Sequence, residues 1–117
     1  MSSGHQTGLD AEDEAARFLN AQGFAVLDRR WKCKDGELDL VVASKGLIVF
    51  VEVKARADQS AGQAALERLG ADHARLMAAA EQWIAAHSEA CEGRDMRFDV
   101  VLIVPGAPIT HVENAFV

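Results

Sequence analysis

Asp39, Glu52 and Lys54 are the side chains whose types and spacing suit hydrolytic chemistry. Gly36-Glu37-Leu38-Asp39-Leu40 opens one apolar stretch, and Val49-Phe50-Val51-Glu52-Val53-Lys54 closes the next, with twelve residues between Asp39 and Glu52. In extended chain, alternate side chains share a face, so Glu37 goes with Asp39, and Glu52 with Lys54. Pairing Val42 with Leu47 around a four-residue loop sets Glu37 against Glu52 and Asp39 against Phe50. Asp39 and Glu52 are then diagonal neighbours, about 7 Å apart or less at their β-carbons. All four polar side chains leave the same face in that register, and a slip of one residue separates them.

Carboxylates crowded onto an apolar sheet repel one another and lose hydration. A divalent cation offsets both costs, and hard oxygen ligands suit Mg²⁺ or Mn²⁺. Lys54 beside them can neutralise charge, position or activate a water, or stabilise the charge that develops at phosphorus. Two acids and a lysine around a metal are what phosphodiester hydrolysis requires.

These residues need elements to hold them. A helix is expected from Asp10 to Gln22, with Asp10 as N-cap and Gly23 as the stop. Ala11, Ala15, Phe18 and Leu19 form its apolar face, and Glu12 lies at the border of that stripe. Strands follow from Phe24 toward Trp31, over Glu37–Ala43 and over Leu47–Lys54, with turns at Asp35-Gly36 and Ser44-Lys45-Gly46. Most of Leu38–Val53 is apolar on both faces, as in a central sheet covered on both sides. Arg56–Gly62 is an expected loop. One long helix over Gln63–His87 should bury Leu66, Leu69, Leu76, Met77, Ala80, Trp83 and Ile84, with His73 inside the stripe. Glu89–Asp95 is an expected loop, Arg97–Val104 a strand and Ile109–Val112 a short edge strand. The order is α-β-β-β-α-β, an α/β (mixed α+β) domain with a mixed sheet between helices.

The 117 residues make one domain, expected over 9–117 behind a flexible segment 1–8. Half the residues are apolar and 26% are charged, which excludes wholesale disorder. No apolar run is long enough to span a bilayer, and the N-terminal residues lack the pattern of a secretion signal. Cys33 and Cys91 stand far apart and are read as reduced thiols of a cytoplasmic protein. The net charge of −6 excludes a partner held by bulk positive charge, though a local basic rim can still meet nucleic acid. The best such patch is Arg29, Arg30, Lys32 and Lys34 around Trp31, with Arg56 at the mouth of the site.

Asp39 followed after twelve residues by Glu52-Val53-Lys54 resembles the PD-(D/E)XK motif of restriction-endonuclease-like proteins. More narrowly, the chain resembles the YraN-like family of predicted endonucleases. Four stretches carry that likeness: Gly8–Ala15 with Glu12, Gly36–Leu40, Val49–Arg56 and Arg97–Val101. The likeness extends from Gly8 to Phe116 and implies an αβββαβ core. It implies Asp39 and Glu52 as metal ligands, Lys54 as the catalytic lysine, and Glu12 as an extra acid from the first helix. The residue before Asp39 is leucine rather than proline. Where the family's second helix carries a lysine–glutamine pair, this chain has Asp72-His73 ahead of Ala74-Arg75-Leu76.

The function implied is metal-dependent endonucleolytic cleavage of DNA, on branched, flapped or single-stranded regions. A two-fold homodimer would serve paired cuts. The rival reading is an inactive nuclease fold that binds nucleic acid or protein. Glu37 and His73 are further candidates for the site, each against a plainer structural role. Asp99 is expected to be structural. His5, His87 and His111 show no zinc-like spacing.

Overall fold

The computed structural model describes residues 4–116, with side chains described for 10–116. Helix α1 spans Gly4–Ala21, followed by β1 (Ala25–Cys33), β2 (Gly36–Ser44) and β3 (Leu47–Ala55). Helix α2 (Gln59–Leu66), a 3-10 turn (Leu69–Asp72), α3 (His73–Ala86) and the short α4 (Ser88–Cys91) lead to β4 (Asp95–Ile103) and β5 (Thr110–Val112). The five strands form one sheet in sequence order. β3 and β4 run parallel and the other neighbours antiparallel. This is the expected αβββαβ order and the expected mixed sheet between helices.

Helices cover both faces because the central strands are apolar on both. Ala11, Ala15 and Leu19 of α1 pack on Leu40, Val49 and Val51. Leu76, Ala80 and Trp83 of α3 pack on Val41, Ile48 and Phe50 from the other side. The small alanines of α1 bring that helix close to the sheet, which matters for Glu12.

Several expected boundaries are corrected. α1 begins at Gly4, so Asp10 lies inside the helix and is not its cap. No proline stands in the way of that extension. Of the expected flexible segment 1–8, residues 1–3 lie outside the described residues and 4–8 fall within α1. The expected loop over Arg56–Gly62 gives way to α2, whose N-cap Asp58 accepts the Ala61 N–H at 2.8 Å. The single long helix is broken at the 3-10 turn around Gly70, the poorest helix former in the stretch. α3 therefore sets its own phase, leaving Met77 40% exposed and burying Ala79. α4 occupies part of the expected loop after His87.

The β2–β3 register also differs. Ser44 pairs with Leu47 and Val42 with Val49, so the connection is the two-residue Lys45-Gly46. Gly46 has φ +81, the left-handed backbone that tight hairpins need. The pairing is displaced by two residues from the expected one. Two is the side-chain period of a strand, so the facing pattern along the core survives.

Candidate active site

The β2–β3 ladder runs as far as Leu40 opposite Val51. One residue further, Asp39 comes level with Glu52 rather than with Phe50. There the strands part, and the Val53 N–H donates to Asp39 Oδ2 at 2.9 Å. Leu38 and Leu40 should share a face, yet Leu38 packs on the α3 side and Leu40 on the α1 side. β2 therefore turns over at Asp39. Opposite this point β1 carries Arg30 at φ +51, between the pairs Arg29–Leu40 and Trp31–Leu38.

The roll of β2 overturns the expectation that Glu37, Asp39, Glu52 and Lys54 leave one face. Glu37 and Asp39 turn toward α1 and meet Glu12, and carboxylate oxygens of the three lie within 4.8 Å of one another. Glu52 and Lys54 instead face Asp72 and Arg75, at the start of α3. Lys54 Nζ lies 3.5 Å from Glu52 Oε2 and 3.0 Å from Asp72 Oδ2. Asp39, at the seam, interacts with both groups.

Three of these acids are held above their ordinary range. Burial raises Glu52 most, and the nearby charge of Asp39 adds to it, so its carboxyl is pushed up to about 7 against the pull of Lys54 and Arg75. A hydrogen bond between the two carboxyls keeps the proton on Glu52 and favours the charged form of Asp39. Asp39 is nevertheless raised, chiefly by burial. Burial also raises Glu12, with the Asp39 charge second. Glu12 Oε1 is buried without a hydrogen-bond partner among the described residues. Its nearest cation is the Arg30 Nε at 3.8 Å, too long for a hydrogen bond.

An unpaired buried carboxylate oxygen is costly, and one aimed at two more acids is costlier still. Glu12, Glu37 and Asp39 offer hard oxygen donors only. That donor set fits a divalent cation such as Mg²⁺ or Mn²⁺, and Glu52, which feels the Asp39 charge, stands outside this group of three.

The other candidates are dispersed. Arg30 is beside Glu12, and Lys32 Nζ lies 3.9 Å from Glu37 Oε2, so both border the acids. Lys34 is exposed in the β1–β2 turn, which is Lys34-Asp35 rather than Asp35-Gly36. Arg56 donates to the Ala55 carbonyl oxygen and lines a separate cavity beside Asp10, Glu14 and Pro105. His73 stacks on Phe116 with ring centres 4.9 Å apart, in an aromatic pocket with Phe98. Trp31 is part of the α3-side packing and lies edge-on to His87. Asp99 is structural, as expected: it is fully buried and accepts from both Arg97 donors and from the Asn114 N–H.

Two residues at the site were not candidates from sequence. Asp72 and Arg75 reach Glu52 and Lys54 from the start of α3. Their i, i+3 spacing puts them on one helical face, which is legible. That this face meets the ends of β2 and β3 is not.

A five-stranded mixed sheet flanked by helices makes this an α/β protein whose architecture is consistent with a nuclease-like core. Residues 11–103 match the family described as uncharacterised protein family UPF0102. A UPF0102 protein of Rhodopseudomonas palustris is 42% identical over 112 residues, which cover 95% of this chain and 83% of its own. One from Bradyrhizobium diazoefficiens is 42% identical over 111 residues, covering 95% and 81%. One from Frankia alni is 42% identical over 113 residues, covering 93% and 92%. The chain belongs to the UPF0102, or YraN, family. The description of that family assigns no activity.

Proposed function

We propose that this protein is a metal-dependent endonuclease hydrolysing phosphodiester bonds in DNA, on branched or flapped structures. The observation that carries this reading is the convergence of Glu12, Glu37 and Asp39 beside the Glu52–Lys54 pair. Three separate elements bring these groups together where the sheet opens, and the buried Glu12 oxygen lacks any partner among the described residues.

Asp39 and Glu52 would hold Mg²⁺ or Mn²⁺, with Glu12 and Glu37 close enough to Asp39 to join them. The cation supplies positive charge that acidifies a water and offsets the charge of the phosphate. Glu52 gives up its proton on loading, since a ligand must be ionised. The ammonium of Lys54 has three donors, one directed at Asp72, and stabilises negative charge on a phosphoryl oxygen. Val53 N–H fixes Asp39 through a backbone hydrogen bond, so the central acid is positioned before anything binds. A single chain has one such site and cuts one strand, so paired cuts call for two copies.

The test is cleavage of labelled single-stranded, duplex, flapped and four-way-junction DNA with Mg²⁺ or Mn²⁺. Asp39→Asn and Lys54→Ala should each lower the rate by roughly a hundredfold or more. Folded, metal-loaded protein that cuts none of these substrates would sink the proposal. A second reading, a DNA-binding or protein-binding module without hydrolysis, draws on the net charge of −6 and on the contact of Asp72 with Lys54. It expects DNA retention without cleavage in the same panel.

A further inference from the structure

Asp72 occupies the N-cap position of α3, where an aspartate ordinarily accepts a backbone N–H of the first turn. Its side chain makes no such bond. It reaches across to β3 instead, where Lys54 Nζ donates to Oδ2 at 3.0 Å, while Arg75 Nη2 lies 3.5 Å from Oδ1. One carboxylate thus bridges two cations, with a separate oxygen toward each.

Lys54 is enclosed in the site, and Arg75, with its side chain 43% exposed, reaches it from the rim. The Lys54 side chain is 14% exposed. Arg75 lies across the end of the β1–β2 hairpin and points its guanidinium at Glu52 Oε2, 3.9 Å away. Gly36 makes that path possible, because a β-carbon there would come within 3.1 Å of Arg75 Cγ. A lysine and an arginine converging on two oxygens of one small anion are what recognition of a phosphate needs. The anion in place is the protein's own.

We infer that Lys54 and Arg75 form a phosphate subsite for DNA, and that the Asp72 carboxylate fills it until a substrate phosphate displaces it. This rests on the proposed function for the identity of the ligand, and it adds a second contact, Arg75, and an internal competitor, Asp72. The competitor ends the 3-10 turn, two residues after Gly70 and outside the regular helix, where a change of backbone angle can withdraw it.

The experiment measures binding of fluorescein-labelled duplex and four-way-junction DNA by anisotropy over a salt series. Ca²⁺ is present to neutralise the acids, and intact DNA is verified at the end point. Asp72→Asn is compared with wild type, with the double variant Asp72→Asn/Arg75→Ala, and with Glu89→Gln, a surface change of equal charge. Asp72→Asn should bind roughly tenfold tighter and steepen the salt dependence by about one to two phosphate contacts. The double variant should lose the gain, and Glu89→Gln should not reproduce it. Unchanged, weaker or undetectable binding by Asp72→Asn overturns the inference. So does an equal gain in Glu89→Gln, which would mark bulk charge.

Cleavage in Mg²⁺ is scored separately on the same proteins. If wild type cuts and Asp72→Asn shows no gain in affinity, the subsite falls and the nuclease stands. If the gain depends on Arg75 and no protein cuts, the subsite stands and hydrolysis falls.

Discussion

Glu52 titrates close to neutral pH, at about 7, because burial and the Asp39 charge outweigh Lys54 and Arg75. This has a sign that can be measured. The unfolded chain titrates Glu52 near 4.5 and the folded protein at about 7, so the folded state holds the extra proton between those values. Stability of the metal-free protein should therefore fall as pH rises through that window. The raised values of Asp39 and Glu12 act in the same direction. We expect a loss of roughly 1–3 kcal/mol between about pH 5 and pH 8, read from urea unfolding, and Glu52→Gln should flatten it. Stability that climbs over this range would mean that the acids are well solvated. Asp99 behaves oppositely: although burial opposes ionisation, its bonds to Arg97, Asn114 and His111 hold it below 3.8. Its contribution is present above 3.8 and is lost only at lower pH, outside the Glu52 window. Asp99→Ala should cost about 3 kcal/mol in the same unfolding assay, since Arg97 and His111 lose a buried partner but keep some access to water. The types of these residues are legible in sequence. Their protonation is not, because it depends on what α1 and α3 exclude.

Strand β2 shows what an element's sequence can and cannot say. The hydrophobic run predicts a strand covered on both faces, and that is what forms. The roll at Asp39 has no counterpart in the alternation, since Leu38 and Leu40 read as same-face residues. It falls opposite Arg30 of β1, which has φ +51, and β1 also carries a register shift between Val26 and Asp28. The helix after β3 is the converse. Gly70 weakens the helical pattern on paper, and the chain does break there. No side-chain space is filled at Gly70, since an added β-carbon would meet nothing within 4 Å. Gly70→Ala should therefore stabilise the fold by about 0.4–1 kcal/mol, through a less flexible unfolded chain. A thermal melt checks this, and a loss of stability instead would show that the turn needs glycine's backbone freedom.

Across the whole molecule the charge works against the proposed substrate. A chain of net charge −6 gains little from a polyanion, so a cation at the acids should serve the fold as well as the site. Mg²⁺ or Mn²⁺ at a hundredfold excess over its dissociation constant should add about 2.7 kcal/mol of stability. The gain should vanish in Asp39→Asn, measured as a shift in melting temperature. A shift that is equal in Asp39→Asn would place the cation elsewhere. Among the described residues no helix is long and apolar enough to cross a membrane. The sequence by itself determined the order of the strands and of the helices that flank them, the two-faced apolar sheet and the residue types at Glu12, Asp39, Glu52 and Lys54. Those follow from local propensity, hydrophobic period and residue type, which a linear chain displays. Only the tertiary structure decided that Glu37 and Asp39 turn to Glu12, that the Glu52 carboxyl is pushed up to about 7, and that Asp72 holds both Lys54 and Arg75. These depend on a two-residue hairpin, a rolled strand and a broken helix. Together they bring residues far apart in sequence into contact, which a local pattern does not display.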